Sequence, residues 1–279
     1  MRSGKRSKAR LATVAVAASA LSMVALTGVA PAAESASGKI HKNRVMTWNT
    51  NGQLSEDATT MAEQIARVRP QLVALQETCH DEAWWTQQLL RKKGLNYEIS
   101  FGPAAANYLC GEGHEMHGQV ILSAAPIRED DNVYYDEDEG FLEVRGYQVL
   151  ATEVAGKQVR VFNTHLTASS NDPEENPERK RLRTEQVRQL VREANRHDRA
   201  LVFGDFNAQP WDSEMGPMFS RFTDADANCR PIKNSGCNPT HLGSKKKFDY
   251  IFLHGVTSKH IEFHTSNPRD HRIFVSDLR

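Results

Sequence analysis

The chain has 279 residues, 39% hydrophobic and 25% charged, with 35 Lys+Arg against 35 Asp+Glu. That composition supports one large globular domain with a substantial core and excludes a disordered or fibrous chain. Residues 1–32 carry five basic side chains and no acid. Without them the formal charge is minus five, which excludes bulk attraction of a generally basic body for polyanions but leaves room for a local basic surface.

Arg2, Lys5, Arg6, Lys8 and Arg10 precede LATVAVAASALSMVALTGVA, and APA at 30–32 offers small residues suited to cleavage. Residues 1–32 therefore read as a secretory signal peptide. The alternative is an uncleaved anchor, because residues 11–30 are numerous enough to span a bilayer; the Ala, Ser and Thr content and the cleavage-like site favour export. Residues 33–42 read as a short linker, and 43–279 as one domain. The four cysteines, Cys79, Cys110, Cys229 and Cys237, read as disulfides in an exported chain. Three pairings are open, and Cys79 with Cys110 and Cys229 with Cys237 is favoured because each closes a segment between neighbouring elements. Their spacing fits no zinc pattern.

Along the domain, RVMTWN at 44–49 predicts a strand. Met61, Ile65 and Val68 give helical spacing over 58–69, ended by Pro70. QLVALQE at 71–77 predicts a buried strand, 81–92 a helix in which Trp84 and Trp85 read as packing residues, and QVILSA at 119–124 another strand. YQVLATEV and KQVRVFNTHL, joined through Ala155 and Gly156, predict a hairpin. A helix over 177–197, with Leu182, Val187, Leu190 and Val191 on its apolar side, leads into LVFGDFN. FDYIFL at 248–253 and RIFVSDL at 272–278 predict the closing strands. There is an internal echo: MTWNT, a helix and LVALQE are answered by VFNTH, a helix and LVFGDFN. A strand, helix, strand unit used twice predicts an α/β protein with two similar halves.

Each strand of the echo ends in a polar residue: Asn49, Glu77, His165, and Asp205 with Asn207. If extended geometry continues through Phe206, alternation puts Asp205 and Asn207 on one side. Asp249 lies inside KFDYIF, and Asp270 with His271 precedes RIFV. Any one of these has a bland reading as a turn former, a cap or a satisfied buried acid. Side by side, strand ends gather carboxylates, amides and imidazoles at one rim, which is what metal-assisted attack of water on a phosphate ester needs. Arg181, Arg183, Lys245 to Lys247, Arg269 and Arg272 are placed to flank that rim, with a solvated helix start as the bland reading for the first two. His80, His114, His117, His241 and His264 have no ligand spacing and read as surface or loop residues.

In that order, TWN, QE, NTHL, GDFN, DYI and DH resemble the endonuclease/exonuclease/phosphatase superfamily across residues 43–279. The resemblance implies a four-layer α/β/β/α sandwich, two mixed β-sheets flanked by helices, similar to deoxyribonuclease I. It implies Glu77 as principal Mg²⁺ ligand, with Mn²⁺ or Ca²⁺ as substitutes and Asn49 and Asp270 near the metal or its waters. Asp205 corresponds to the acid that orients or deprotonates water, Asn207 to an amide on the scissile phosphate, and His165 and His271 to phosphate-facing histidines, with Asp249 orienting His271. Thr240 stands where the family often has a phosphate-contacting Thr. The chain departs from the family pattern at HGQVILS, where His117 and Gln119 stand, and at PRDHRIF. The implied function is a secreted, monomeric, Mg²⁺-dependent phosphodiesterase or nuclease acting on DNA or RNA by in-line water attack. The alternatives are a phospholipase C or sphingomyelinase-type enzyme on membrane lipid, a small-molecule phosphatase, and an inactive binding module of the same fold.

Overall fold

The structure is a computed structural model that describes residues 38–52, 57–106, 110, 116–137, 144–267 and 270–279. The leader read at 1–32 and Arg269 lie outside the described residues. In chain order the first half holds β1 (His41–Asn49), α1 (Ala58–Val68), β2 (Pro70–Cys79), α2 (His80–Lys92), β3 (Glu98–Ala106), β4 (Met116–Ser123) and β5 (Arg128–Tyr134). The second half holds β6 (Gly146–Val154), β7 (Lys157–His165), α3 (Asn176–Ala194), β8 (Ala200–Asp205), α4 (Gly216–Phe219), β9 (Thr223–Asp224), β10 (Asp249–His254), β11 (Ser258–His264) and β12 (Ile273–Leu278).

Local chemistry sets several of these boundaries. Asp57 caps α1 by accepting from the Thr60 N–H, and Arg69 ends it in the left-handed region just before Pro70, as a helix C-terminus followed by proline requires. The β6–β7 hairpin turns through Ala155 and Gly156, both at positive φ, with Val154 opposite Lys157. Two positive-φ residues are what a two-residue hairpin turn needs to match strand twist.

The strands form two mixed six-stranded sheets, ordered β11-β12-β1-β2-β4-β3 and β5-β6-β7-β8-β10-β9. Each is built around one parallel pair, β1–β2 or β7–β8, whose crossover carries a helix. The internal echo is therefore an architectural repeat. Met46, Trp48, Val73 and Leu75 pack with Met61, Ile65 and Leu90 of α1 and α2. Phe162, Val202, Tyr250 and Phe252 pack with Val187 and Leu190 of α3. Val45, Leu72, Ala74 and Ile121 of one sheet meet Val161, Leu201, Phe203 and Ile251 of the other. The result is the α/β/β/α sandwich.

Four strands that the sequence pattern does not announce, β3, β5, β9 and β11, are sheet edges. Arg128–Tyr134 reads REDDNVY and is almost wholly exposed. An edge strand needs no apolar alternation, and charge there discourages pairing with other chains. Trp84 and Trp85, read as packing residues, are instead 43% and 53% exposed and stand edge to face on α2. Both favoured disulfides are present: Cys79–Cys110, with Cα atoms 5.8 Å apart, and Cys229–Cys237, at 4.3 Å.

At Gly204 the backbones of β7 and β8 approach closely. The φ of Gly204 is +152°, and a Cβ there would lie 2.1 Å from the Thr164 carbonyl oxygen on the adjacent β7. Gly204→Ala is expected to lower the unfolding free energy by ~2–4 kcal/mol through backbone strain and overpacking, measured by urea denaturation; an unchanged midpoint would contradict the close approach.

Candidate active site

Strand alternation aims one set of side chains between the sheets. Val45, Leu72, Val161, Phe203 and Ile251 share the inter-sheet core, so at two-residue spacing Asn49, Gln76, His165, Asp205 and Asp249 face the same way. The ladders bring them level. Asn49 pairs with Gln76, His165 with Asp205, and Asp205 with Asp249. Below this rim, Gln76 Nε2 donates to Thr47 Oγ1 at 3.1 Å and to Asn163 Oδ1 at 2.7 Å, and Asn163 Nδ2 donates to the Leu75 and Val120 carbonyls. This satisfied polar network joins the sheets and forms the floor of the site.

Glu77 is out of phase with that set: alternation would turn it with Val73 and Leu75 toward the helices. Its φ of +50° and a register shift between Leu75 and Thr78 turn it back. A bulge re-aims a side chain in this way at functional sites. Its Oε1 then accepts from Asn49 Nδ2 at 2.8 Å. The same amide donates to Asp205 Oδ2 at 3.0 Å, while Asn49 Oδ1 accepts from the Asn51 N–H. Asn49 thus clamps two carboxylates.

LVFGDFN does not continue as a strand. β8 ends at Asp205, Phe206 packs on the α3 side, and Asn207 sits at φ +50° with its N–H donated to Asp205 Oδ1 at 2.8 Å. This local turn, rather than alternation, brings the amide to the rim. Asn207 Nδ2 lies 3.0 Å from His165 Nε2 and donates to the Leu166 carbonyl. His165 Nε2 is also 3.5 Å from Glu77 Oε1 and 3.9 Å from Asp205 Oδ2. Across the site, His271 Nδ1 is 2.8 Å from Asp249 Oδ2, and its Nε2 is 3.7 Å from Asp205 Oδ2. Asp270 is tied in by the His271 N–H and by Asn51 Nδ2 at 2.6 Å.

The two histidines are held in opposite states. Burial, reinforced by Arg145, His117 and His271, pushes His165 well below its ordinary pKa and keeps it neutral. Burial also opposes charge on His271, but Asp249, Asp205 and Glu77 outweigh it and raise its pKa to about 10. Burial and the facing Asp249 raise Asp205 to about 6, against the pull of His271. Sealed acids opposite each other favour a proton or a cation between them.

The donor set suits a hard divalent cation. Glu77, His165 and Asp205 each offer a ligand atom within 4.8 Å of the others, as do Asp205, Asp249 and His271. Two carboxylates beside a substrate phosphate are a sufficient protein contribution for Mg²⁺. Asp270 belongs to a different group, with His241 and His271.

Other sequence-selected residues fall outside this cluster. Thr240 is fully buried, and its Oγ1 accepts from the Phe248 and Asp249 N–H groups, bracing the start of β10. Arg181 pairs with Glu178 and Glu137 on the exposed side of α3. Arg183 is buried on Glu214, Lys247 on Asp224 at 3.2 Å and over the Tyr250 and Phe274 rings, and Arg272 stacks on Phe263. These three cations are used inside the fold and do not build a basic groove. Two features of the site leave only a faint trace in the sequence: Asn51, whose positive φ a residue before Gly52 signals, and the cleft where His117, Gln119 and Arg145 adjoin Glu77 and His165. The departure at HGQVILS was the trace of that cleft.

A sequence model of the Endonuclease/Exonuclease/phosphatase family matches residues 46–277. Comparison with curated proteins finds no match. Among solved structures, the chain is similar to an endonuclease/exonuclease/phosphatase from Beutenbergia cavernae, with a TM-score of 0.69 at 20% identity, covering 85% of this chain and 71% of that one. It is also similar to the human Nocturnin catalytic domain with bound sulfate anion (TM-score 0.61, 20% identity, 85% and 93% coverage). A third is D. rerio TDP2 complexed with single strand DNA product (TM-score 0.63, 17% identity, 85% and 98% coverage).

The unlike histidines are directly measurable. In metal-free protein, imidazole NMR is expected to show His271 still protonated at pH 8 and His165 neutral at pH 6. Because the folded pKa of His271 lies above the unfolded one, its stabilisation is complete below about pH 6.5 and is lost as pH rises through about 10. His271→Gln should remove that part of the alkaline stability loss; titration of both rings near pH 6.5 would refute the assignment.

Proposed function

Since the chain belongs to the endonuclease/exonuclease/phosphatase family, whose members hydrolyse phosphate esters, we propose that it is a secreted, Mg²⁺-dependent phosphodiesterase acting on DNA or RNA. The observation that carries this reading is the convergence at one rim of Asp205 opposite Asp249, the cationic His271 and the Asn207–His165 pair. Secretion is supported by the leader-like residues 1–32 and by two disulfides, which persist in oxidising compartments. No helix among the described residues is long and apolar enough to cross a membrane. A nucleic-acid substrate is supported by the single strand DNA product held by the similar D. rerio protein.

Each side chain has a role in such a reaction. Asp205, fixed by hydrogen bonds from Asn49 and Asn207 and raised toward neutrality, orients the attacking water and accepts its proton. His271, charged by Asp249, offsets the negative charge developing on the phosphoryl oxygens. Asn207 offers its amide to the same oxygens, and Glu77, held by Asn49, would bind the Mg²⁺. When bound, the ion polarises the phosphate and offsets its charge. Attack is in line, by water, without a covalent intermediate.

Purified protein with Mg²⁺ should hydrolyse plasmid DNA or RNA in a panel that includes sphingomyelin and a generic phosphodiester, and EDTA should stop it. Asp205→Ala and His271→Ala are each expected to lower turnover by ~10³-fold. Full activity in both variants would overturn the site, and sphingomyelin as the sole substrate would overturn the nucleic-acid reading. Mg²⁺ or Mn²⁺ should also raise the melting temperature of metal-free wild type, since an ion that binds only the folded state stabilises it. Glu77→Gln should largely remove that rise; an unchanged shift would place the ion elsewhere.

A further inference from the structure

His241, one of the histidines that sequence spacing leaves without a role, comes to lie against the catalytic cluster. The segment carrying it is clamped on both sides. His241 exchanges backbone hydrogen bonds with Lys246 at 2.9 and 3.2 Å, Leu242 N–H donates to the Asp270 carbonyl, and Arg272 N–H donates to that of Thr240. His241 is thereby bridged to His271. The two imidazoles meet edge to face with centroids 4.7 Å apart, and one ring nitrogen of His241 lies within 4.8 Å of ligand atoms of both Asp270 and His271.

Its tautomer follows from geometry. The Ser244 backbone N–H points at Nδ1 from 3.0 Å, with Ser244 Oγ at 2.9 Å. A backbone N–H can only donate, so Nδ1 is the acceptor and the ring proton resides on Nε2. No hydrogen bond to Nε2 is made among the described residues, and the ring is partly open to solvent. A fixed N–H donor with no protein acceptor, on a ring packed against the cation of the site, is placed for a ligand oxygen.

We propose that His241 is a further substrate-contacting residue, whose Nε2–H donates to an oxygen of the phosphoester held against His271. This rests on the phosphodiesterase reading. It adds a neutral, oriented donor beside a charged one. A preorganised donor of this kind contributes most where negative charge develops.

The test uses bis(p-nitrophenyl) phosphate with Mg²⁺ and the variants His241→Ala, His241→Asn and His241→Gln, each checked by thermal melt. Ala should lose ~10–100-fold in kcat/KM, the range for a hydrogen bond to a charged group. Asn restores an acceptor for Ser244 near the position of Nδ1, whereas Gln places an N–H donor near that of Nε2. Contact with substrate predicts rescue by Gln and not by Asn. Rescue by Asn alone, or no loss in Ala, overturns the proposal and leaves His241 an anchor for its loop. If Ala fails to fold, titration of wild type with inorganic phosphate decides: the His241 Nε2 resonance must shift on binding, and its constancy while phosphate binds elsewhere refutes the contact. A wild type that hydrolyses no phosphoester would fell the phosphodiesterase reading itself, whereas an active wild type with an unaffected Ala variant removes only this inference.

Discussion

Two carboxylates facing each other out of reach of water set the terms for this fold. Asp205 and Asp249 are register partners on β8 and β10, and both are essentially inaccessible to solvent. Such a pair is costly to bury unless opposite charge and donors surround it. His271 supplies the charge to both acids, Asn49 and the Asn207 N–H supply donors to Asp205, and Thr240 fixes the backbone from which Asp249 projects. Asp249 Oδ1 has no hydrogen-bond partner among the described residues. The arrangement keeps Asp205 close to neutrality, where a proton acceptor is most effective.

The sandwich is what lets such a cluster exist. Each sheet contributes a parallel pair, and the four strands end at one rim with Asn49, Glu77, His165 and Asp205. A single sheet would leave these groups in water. Two sheets closed on Val45, Leu72, Phe203 and Ile251 exclude water from below, and the Gln76–Asn163 bridge settles the polar backbone between them. Several departures from regular geometry sit at this rim: positive φ at Asn51, Glu77 and Asn207, and the close approach at Gly204. At the rim these local departures re-aim side chains that strand alternation alone would misplace.

Much of this was legible in the chain. The central strands and the main helices announce themselves through apolar runs and helical spacing, because burial on one or both faces imposes a pattern. The edge strands β3, β5, β9 and β11 do not, since an edge needs no apolar face. Most of the acids, amides and imidazoles of the rim were visible as polar ends to core strands; Asn51 was not. Arg183, Lys247 and Arg272 were equally visible as charges, but their partners Glu214, Asp224 and Phe263 lie on other elements, so spacing could not distinguish a free basic groove from internal pairing.

By itself, the sequence determined the α/β class, the strand–helix–strand repeat and the chemical inventory of the site, because hydrophobic periodicity and residue type are local properties. Only the tertiary structure decided that Asp205 faces Asp249, that Glu77 turns against its strand's phase to reach Asn49, that Asn207 arrives through a turn, and that His241 stands beside His271. Each of these depends on the register between strands distant in the chain or on a single left-handed residue. Neither the alternation of one strand nor the spacing of one motif encodes them.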